Sequence, residues 1–390
     1  MIETKEISKK TTLNSSDFPI FSELQNWGHE QVVICSQPES GLKAIIAIHN
    51  TTLGPALGGT RMWNYKNEQE AIRDVLRLSR GMTYKAAISG LNLGGGKAVI
   101  IGDPHKDKSE SLFRAFGRFV DGLGGRYITA EDVGINEKDM EWVYSETKYV
   151  TGIPKELGGS GDPSPVTAYG VYMGMKACAK KAYGSDSLKG KKVAIQGAGH
   201  VASFLAENLA KEGAIIYVSD IYGDKADLVA KNTGATVVAP DDIYSVNMDI
   251  FSPCALGGII NDDTLNQLKC DIIAGGANNV LDDEDHHGQM LLDKGLIYAP
   301  DYVINAGGLI NVASELEGYN SSRAHDRASR IYDTILNILN FSEENKMPTH
   351  VASNILAEDR INKVGRIDSI YSSTTHFSKR KGELYLRDRS

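Results

Sequence analysis

Short apolar runs alternate along the first part of the chain with segments whose apolar residues recur every three to four positions. The strand-like runs cover residues 43–49, 98–101 and 127–129. The helix-like segments cover residues 68–81 and 111–120. In the first of these helices the pattern puts Ala71, Val75 and Leu76 on one face, as expected for a helix that packs against a sheet. These residues therefore predict a mixed α/β unit.

A dense turn-forming stretch, residues 158–165 (GGSGDPSP), separates this unit from the next and predicts a hinge. A helix at residues 166–183 follows it. Six short strand-like runs separated by helices come next, at residues 193–196, 215–219, 236–238, 249–251, 272–274 and 297–298. Strands that alternate with helices indicate a parallel, doubly wound sheet. Two further helices, at residues 327–341 and 351–364, precede a polar tail.

Composition adds one unusual feature, an excess of glycine. The chain has 40 glycines in 390 residues, where an average usage near 7% predicts about 27. Proline contributes only 11 residues, so the excess is not the composition of a disordered segment. Most of the clustered glycines stand beside predicted turns or beside charged residues. We therefore expect them where backbone must approach a ligand closely.

Charge, hydropathy and cysteine usage exclude several classes of protein. The net charge of −8 disfavours nucleic acid and anionic membranes as partners. Apolar runs are too short to span a membrane, and residues 1–12 lack the apolar core of a signal peptide. Four scattered cysteines without a CxxC pair favour free thiols and a cytoplasmic protein. The histidines lack metal-ligand spacing, and no metal is predicted.

The clearest local motif is VAIQGAGHVA at residues 193–202, which lies between a strand and a helix. Gly197 allows the tight turn, and Gly199 allows backbone to approach a pyrophosphate at the helix N-terminus. Asp220 ends the next strand, where a carboxylate hydrogen-bonds a ribose 2′-hydroxyl and repels a 2′-phosphate. The motif therefore predicts a Rossmann domain that binds NAD in preference to NADP.

Two lysines and an aspartate are the candidates for chemistry. Lys85 follows Tyr84, Lys97 follows three glycines, and Asp132 comes directly after a strand. A phosphate-binding P-loop does not fit, because Ala98 stands where a Ser or Thr should hold magnesium. Two lysines in one pocket lower each other's pKa, so that one can act as a base near neutral pH. Solvated surface lysines are the alternative that these residues leave open.

Taken together, seven motifs resemble the glutamate/leucine/phenylalanine/valine dehydrogenase superfamily, and within it the bacterial enzymes that act on leucine. The resemblance covers residues 20–365. It rests on GGTR at 58–61, GMTYK at 81–85, LGGGK at 93–97, AED at 130–132, GDPSP at 161–165, GAG at 197–199 and NAGG at 305–308. It implies a substrate domain (residues 1–157, rejoined by helices in 346–390), a Rossmann NAD domain (158–345), and a cleft between them.

The resemblance also implies roles for individual residues. Lys85 would bind the substrate carboxylate, Lys97 would activate the attacking water, and Asp132 would carry protons to and from the amino nitrogen. Further substrate contacts would come from Leu57, Gly58, Gly59, Met82, Ala130, Asn278, Leu309 and Val312. Cofactor contacts would come from Thr167, Gly197, Gly199, His200, Val201, Asp220, Ala255, Asn278 and Asn305.

The side-chain pocket implied in this way is apolar, which disfavours glutamate because its distal carboxylate would lack a partner. We expect oxidative deamination of leucine, valine and isoleucine, since one methylene changes specificity by only ~1–3 kcal/mol. An aromatic amino-acid dehydrogenase and a catalytically silent NAD-binding regulator are the alternatives. His200, Ile135 and Asp162 depart from the usual Asn, Thr and Asn of the family. The family further implies a homo-oligomer, an octamer.

Overall fold

The computed structural model describes residues 20–369, and its first half is built on a five-stranded mixed sheet. The sheet order is β1-β2-β4-β3-β5, in which β2 is antiparallel to both its neighbours while β4, β3 and β5 are mutually parallel. The elements in chain order are α1 (Ile20–Trp27), β1 (Gln31–Gln37), β2 (Leu42–Asn50), β3 (Ala56–Trp63), α2 (Glu68–Ile88), β4 (Gly94–Ile101), α3 (Glu110–Asp121), β5 (Tyr127–Glu131) and α4 (Glu137–Tyr144).

The second half is a six-stranded parallel sheet with helices on both faces, in the order β11-β10-β9-β6-β7-β8. This is the doubly wound order of dinucleotide-binding folds, and the predicted fold class is confirmed. Its elements are α5 (Ser164–Tyr183), β6 (Lys192–Gln196), α6 (His200–Glu212), β7 (Ile215–Ser219), α7 (Gly223–Thr233), β8 (Thr236–Val237), β9 (Ile250–Pro253), α8 (Asp262–Gln267), β10 (Ile272–Ile273), α9 (Glu284–Asp293) and β11 (Ile297–Tyr298).

Five helices complete the described part of the chain: α10 (Asp301–Ile304), α11 (Gly307–Ala313), α12 (Ser321–Ser329), α13 (Ile331–Asn345) and α14 (Thr349–Gly365). The helix expected at residues 327–341 is present but its bounds are wrong: it begins at Ile331 and ends at Asn345, because Arg330 separates α12 from α13. Helix α14 returns to the first half of the chain. There Arg360 donates hydrogen bonds to the carbonyls of Ala87 and Leu91 at the end of α2. The expectations for the two terminal extensions fall mostly outside the described residues.

Helix α2 is long because its sequence supports both its start and its packing. The Asn67 side chain caps it by accepting a hydrogen bond from the Glu70 amide, which satisfies one of the free amides of the first turn. Its buried face, which includes Ala71, Val75 and Ser79, packs on β2 and β4. The helix therefore extends past the predicted end at residue 81 and carries Lys85 to the edge of the sheet.

The expected short strand at residues 98–101 is wrong in extent, because the strand begins at Gly94 and includes the whole glycine run. Strands β1 and β3 are absent from the sequence-based expectation, and β3 contains Gly58 and Gly59. Close packing explains the glycine run: a Cβ atom on Gly95 would lie 2.0 Å from the Thr83 amide nitrogen of α2. Glycine here permits helix and strand backbones to touch.

No helix of residues 20–369 is long and apolar enough to cross a membrane. The four cysteines are free thiols, and three of them are buried. The cytoplasmic location stays a prediction.

We expect Gly95→Ala to lower the free energy of unfolding by about 1–3 kcal/mol, because the added methyl group must force α2 away from β4. Gly81→Ala on the same helix is the control. A Cβ at Gly81 meets nothing within 4 Å, so this variant should gain about 0.5–1 kcal/mol from helix propensity. Denaturant unfolding measures both. Equal stability of Gly95→Ala and the wild type would contradict the packing argument.

Candidate active site

Lys97 and Asp132 form an ion pair beside the end of β5 in the first sheet, with Lys97 Nζ 2.7 Å from Asp132 Oδ2. Lys97 lies on β4 and Asp132 directly follows β5, so β3 runs between them. The two side chains can meet across β3 because residue 59 is a glycine. A Cβ atom added to Gly59 would lie only 2.9 Å from the Asp132 Cβ, which is too close for Asp132 to stay in place. The strand that separates the two charges therefore contributes only backbone between them.

Asp132 remains ionised because cations outweigh the effect of burial. Burial alone would raise the pKa of this carboxyl, but Lys97 and Arg61 lower it to about 2. Arg61, on β3, donates from Nε to the same Oδ2 oxygen at 3.2 Å. The group is thus a fixed negative charge at the place where strand β5 ends.

Lys85 reaches the same site from the last turn of α2. Its ammonium group donates a hydrogen bond of 2.6 Å to Asn305 Oδ1. Burial lowers the pKa of Lys85 to about 8, with a further lowering by Lys97 and an opposing effect of Asp301. A lysine of this kind is protonated at neutral pH and can hold a carboxylate.

Asn305 connects the two halves of the molecule at this point. Besides accepting from Lys85, it donates from Nδ2 to Asn278 Oδ1 at 2.6 Å. Asn278 does not line the cavity beside the ion pair but reaches Lys85 through Asn305. The sheet that carries the dinucleotide turn is therefore joined to the lysine pair by one short chain of hydrogen bonds.

A cavity of about 410 Å³ lies beside the ion pair. Its walls include all the predicted catalytic and substrate residues except Asn278: Leu57, Gly58, Gly59, Met82, Lys85, Lys97, Ala130, Asp132, Leu309 and Val312. Glu131, Ile135, Pro163 and Gly308 complete the lining. Charged groups cluster near the ion pair, while Leu57, Ala130, Ile135, Leu309 and Val312 give an apolar wall. The cavity suits a small molecule with a polar head and an aliphatic side chain.

The predicted dinucleotide turn has the geometry that its motif requires. Gly197 adopts φ +102°, a conformation open mainly to glycine. Gly199 caps α6 without a side-chain hydrogen bond, and a Cβ there would meet nothing within 4 Å. Free amides of the first helical turn thus face open space, as an anionic pyrophosphate requires. A nicotinamide dinucleotide fits this cradle.

Asp220 holds the turn and stands at the end of β7 as predicted. Its carboxylate accepts hydrogen bonds from the amides of Ala198 at 2.7 Å and Tyr222 at 2.8 Å. Each oxygen retains a lone pair that can accept from a hydroxyl. The carboxylate is therefore both a brace for the turn and a candidate partner for a ribose.

The remaining predicted cofactor residues lie around this turn and the cleft. Ala255 lies beside Gly197 and Val201 beside Gly276, since a Cβ atom added to either glycine would lie 3.0 Å from the neighbouring side chain. Thr167 donates to the Pro163 carbonyl at the cavity wall. His200 is exposed, with Nδ1 3.6 Å from the Asp162 carboxylate. Two residues that depart from the family pattern are thus neighbours in space.

Three charged side chains of the site region have no role predicted from the sequence. Glu131 lines the cavity, and Arg61 contacts Asp132. Glu315 is buried and accepts hydrogen bonds from the Gly152 and Ser160 amides, which fixes the segment that leads to the hinge. Arg61 and Glu131 lie within sequence motifs, but their positions in the chain give no sign of these contacts.

A cluster of Asp262, His286 and His287 has the donor types of a metal site. His287 Nδ1, however, accepts a hydrogen bond from the Asp283 amide, so in the neutral ring the proton is on Nε2, which faces Asp262. A metal on Nε2 would require that proton to leave. The cluster is better described as a hydrogen bond of 3.1 Å between His286 Nε2 and Asp262 Oδ1, with the His287 ring beside it.

A doubly wound dinucleotide domain beside a pocket with two lysines and an aspartate defines the class of amino-acid dehydrogenases. Family models agree: "Glu/Leu/Phe/Val dehydrogenase, dimerisation domain" matches residues 29–149, and "Glutamate/Leucine/Phenylalanine/Valine dehydrogenase" matches residues 158–234 and 224–366. The chain belongs to the Glu/Leu/Phe/Val dehydrogenase family, and the expected membership is confirmed.

Individual relatives are similar over most of the chain. The leucine dehydrogenase of Thermoactinomyces intermedius is 58% identical over 352 residues, which is 90% of this chain and 96% of that protein. The leucine dehydrogenase of Geobacillus stearothermophilus is 57% identical, with 92% and 97% coverage. The crystal structure of L-tryptophan dehydrogenase from Nostoc punctiforme aligns with a TM-score of 0.80 at 49% identity, with 88% and 99% coverage.

Glu131 should make stability depend on pH between about 4.5 and 7. Burial and the charges of Glu137, Asp162, Glu315 and Asp132 raise its pKa from 4.5 to about 7. The unfolded chain loses this proton first, so the folded state is penalised as the pH rises through that window. Glu131→Gln should therefore gain ~2 kcal/mol over the wild type between pH 4.5 and 7, after allowance for solvent screening.

Denaturant unfolding at several pH values measures this difference. Glu141→Gln, an exposed position on α4, is the control and should leave the pH dependence unchanged. A difference between Glu131→Gln and the wild type that is constant from pH 4.5 to 8 would contradict the raised pKa.

Proposed function

We propose that the protein oxidises branched-chain L-amino acids, leucine preferentially and also valine and isoleucine, to 2-oxo acids and ammonium with NAD, reversibly. The observation that carries the proposal is the cavity itself, in which Lys85, Lys97 and Asp132 meet at one end and aliphatic side chains form the other. The similarity to leucine dehydrogenases over nine-tenths of the chain supports the same substrate class.

The lysine and aspartate roles follow from their positions. Protonated Lys85 has three N–H donors. It binds the substrate carboxylate and either shares the ammonium group with Asn305 or gives up that hydrogen bond. Lys97 first passes its own proton to Asp132 across their 2.7 Å contact. Its neutral Nζ then takes a proton from the water that attacks the imino carbon, and Asp132 carries protons between that centre and the amino nitrogen. A bound nicotinamide supplies the acceptor for the hydride that leaves the substrate Cα. Closure of the two halves over the cavity excludes water.

The cavity wall selects the substrate side chain. No cationic group stands at the wall formed by Leu57, Leu309 and Val312, so a distal carboxylate of glutamate would be buried without a partner. Ile135 adds a further aliphatic surface to the cavity. A side chain with four carbons fits this wall.

Asp220 supports NAD over NADP. Its carboxylate accepts from the Ala198 amide in the turn expected to hold the pyrophosphate, where it would meet a ribose 2′-hydroxyl. A 2′-phosphate placed there would face a negative charge, which costs affinity.

We further propose an octameric assembly and domain limits at residues 157 and 345, with residues 346–390 rejoining the first domain, as the family resemblance implies.

Purified protein with L-leucine and NAD at alkaline pH should generate NADH, followed by its absorbance, with much lower kcat/KM for NADP. Valine and isoleucine should be used more slowly, and phenylalanine and tryptophan least. Lys97→Ala should lose at least about 100-fold in kcat, because the water loses its base. Absence of NADH with leucine, or higher kcat/KM for an aromatic substrate, would refute the proposed specificity.

The pKa of about 8 at Lys85 should govern binding of the 2-oxo acid. Lys85 holds the substrate carboxylate only when protonated, and the proton is lost as the pH rises through about 8. In the reductive direction, the Michaelis constant for the 2-oxo acid derived from leucine should therefore rise above pH 8, approaching about tenfold per pH unit. Lys85→Arg stays protonated and serves as the control. If the Michaelis constant for the 2-oxo acid changes with pH in the same way in the wild type and in Lys85→Arg, Lys85 does not bind the carboxylate.

A further inference from the structure

Arg61 connects the catalytic aspartate to helix α2. Its Nε donates to Asp132 Oδ2 at 3.2 Å, and its NH1 group donates to Asp74 Oδ2 at 3.0 Å. Only about a fifth of its side chain is exposed. One guanidinium therefore spans two carboxylates, one after β5 and one on α2, which the rigid fork of an arginine can do and a lysine cannot.

Both cations that contact Asp132 use the same oxygen. Lys97 Nζ lies 2.7 Å and Arg61 Nε 3.2 Å from Oδ2. A carboxylate oxygen has two in-plane lone pairs, and these two contacts occupy both. Oδ1 receives neither cation, so it is the oxygen that can exchange a proton with the substrate nitrogen.

Asp74, the carboxylate on α2 that Arg61 contacts, has further hydrogen-bond partners that hold it in place. Asp74 Oδ2 also accepts from the Tyr65 hydroxyl at 2.7 Å, and its Oδ1 accepts from Arg77 at 3.2 Å. Lys85 lies about three turns further along the same helix as Asp74. The group that orients Asp132 and the group that binds the substrate carboxylate are therefore fixed to one rigid element.

We propose that Arg61 is a positioning residue that fixes the Asp132 carboxylate by its Oδ2 oxygen and leaves Oδ1 directed at the substrate amino group. This rests on the proposed function. Without Arg61, the carboxylate keeps Lys97 as its cationic partner and a hydrogen bond from the Val133 backbone. It loses the contact that fixes which oxygen meets Lys97. The proton acceptor then loses its fixed position, which affects the chemical step more than binding.

The test is the kinetics of Arg61→Ala with leucine and NAD. We expect kcat to fall about 100-fold, with the KM for leucine changed by less than about threefold. Guanidinium chloride, at concentrations that leave the wild type unaffected, should restore kcat by about tenfold, since the ion can enter the vacated site. Arg77→Ala is the control: it loses a bond to Asp74 and an exposed bond of 3.3 Å to Asn279. Within the described part of the chain Arg77 makes no bond to Asp132, and this variant should stay within about twofold of wild-type kcat.

Several outcomes would overturn the role. They are an unchanged kcat in Arg61→Ala, a rise in the KM for leucine with kcat unchanged, an equal loss in Arg77→Ala, or no response to guanidinium. Crystal structures of the wild type and Arg61→Ala separate this proposal from the proposed function. A displaced Asp132 carboxylate in the variant supports positioning even if leucine is not the substrate, and an undisplaced one refutes it.

Discussion

The ion pair between Lys97 and Asp132 is the constraint on which the rest of the site depends. Two charges removed from water need a compensating environment, because their mutual attraction alone barely offsets desolvation. Here Arg61 supplies a third charge and Asp74 a fourth, so that positive and negative groups alternate from the cavity to α2. The pair is thus the inner end of a charge network and not an isolated contact.

Glycine makes that network geometrically possible. Lys97 and Asp132 belong to segments on either side of β3, and the side chains of a central strand would normally fill the space between them. A Cβ on Gly58 would lie 1.7 Å from the Gly96 carbonyl oxygen, so β3 and β4 approach each other as closely as backbone allows. Gly95 likewise allows the backbone of β4 to approach the backbone of α2. The excess of glycine seen in the composition therefore serves close packing at the site as well as turns.

The parts of the molecule that can be predicted from sequence have local signals. The dinucleotide turn is predictable because strand, glycines, helix and Asp220 follow one another within residues 193–220, and the structure has them in that order. Strand β3 escapes prediction because glycines replace the β-branched residues by which strands are recognised. Arg61 and Glu131 gain their surroundings only from folding, since most of the groups that act on them come from distant segments.

Lys85 shows why the two halves of the molecule cannot act independently. Its ammonium group donates a hydrogen bond to Asn305, which in turn donates to Asn278, and both asparagines belong to the second half of the chain. A substrate carboxylate that takes this ammonium group must compete with Asn305 or share the group with it. Binding at the lysine pair therefore acts directly on the elements that form the dinucleotide side of the cleft, through the loss or sharing of one hydrogen bond. In the proposed mechanism, the residue that binds the substrate carboxylate is thus also the residue by which the substrate influences domain closure.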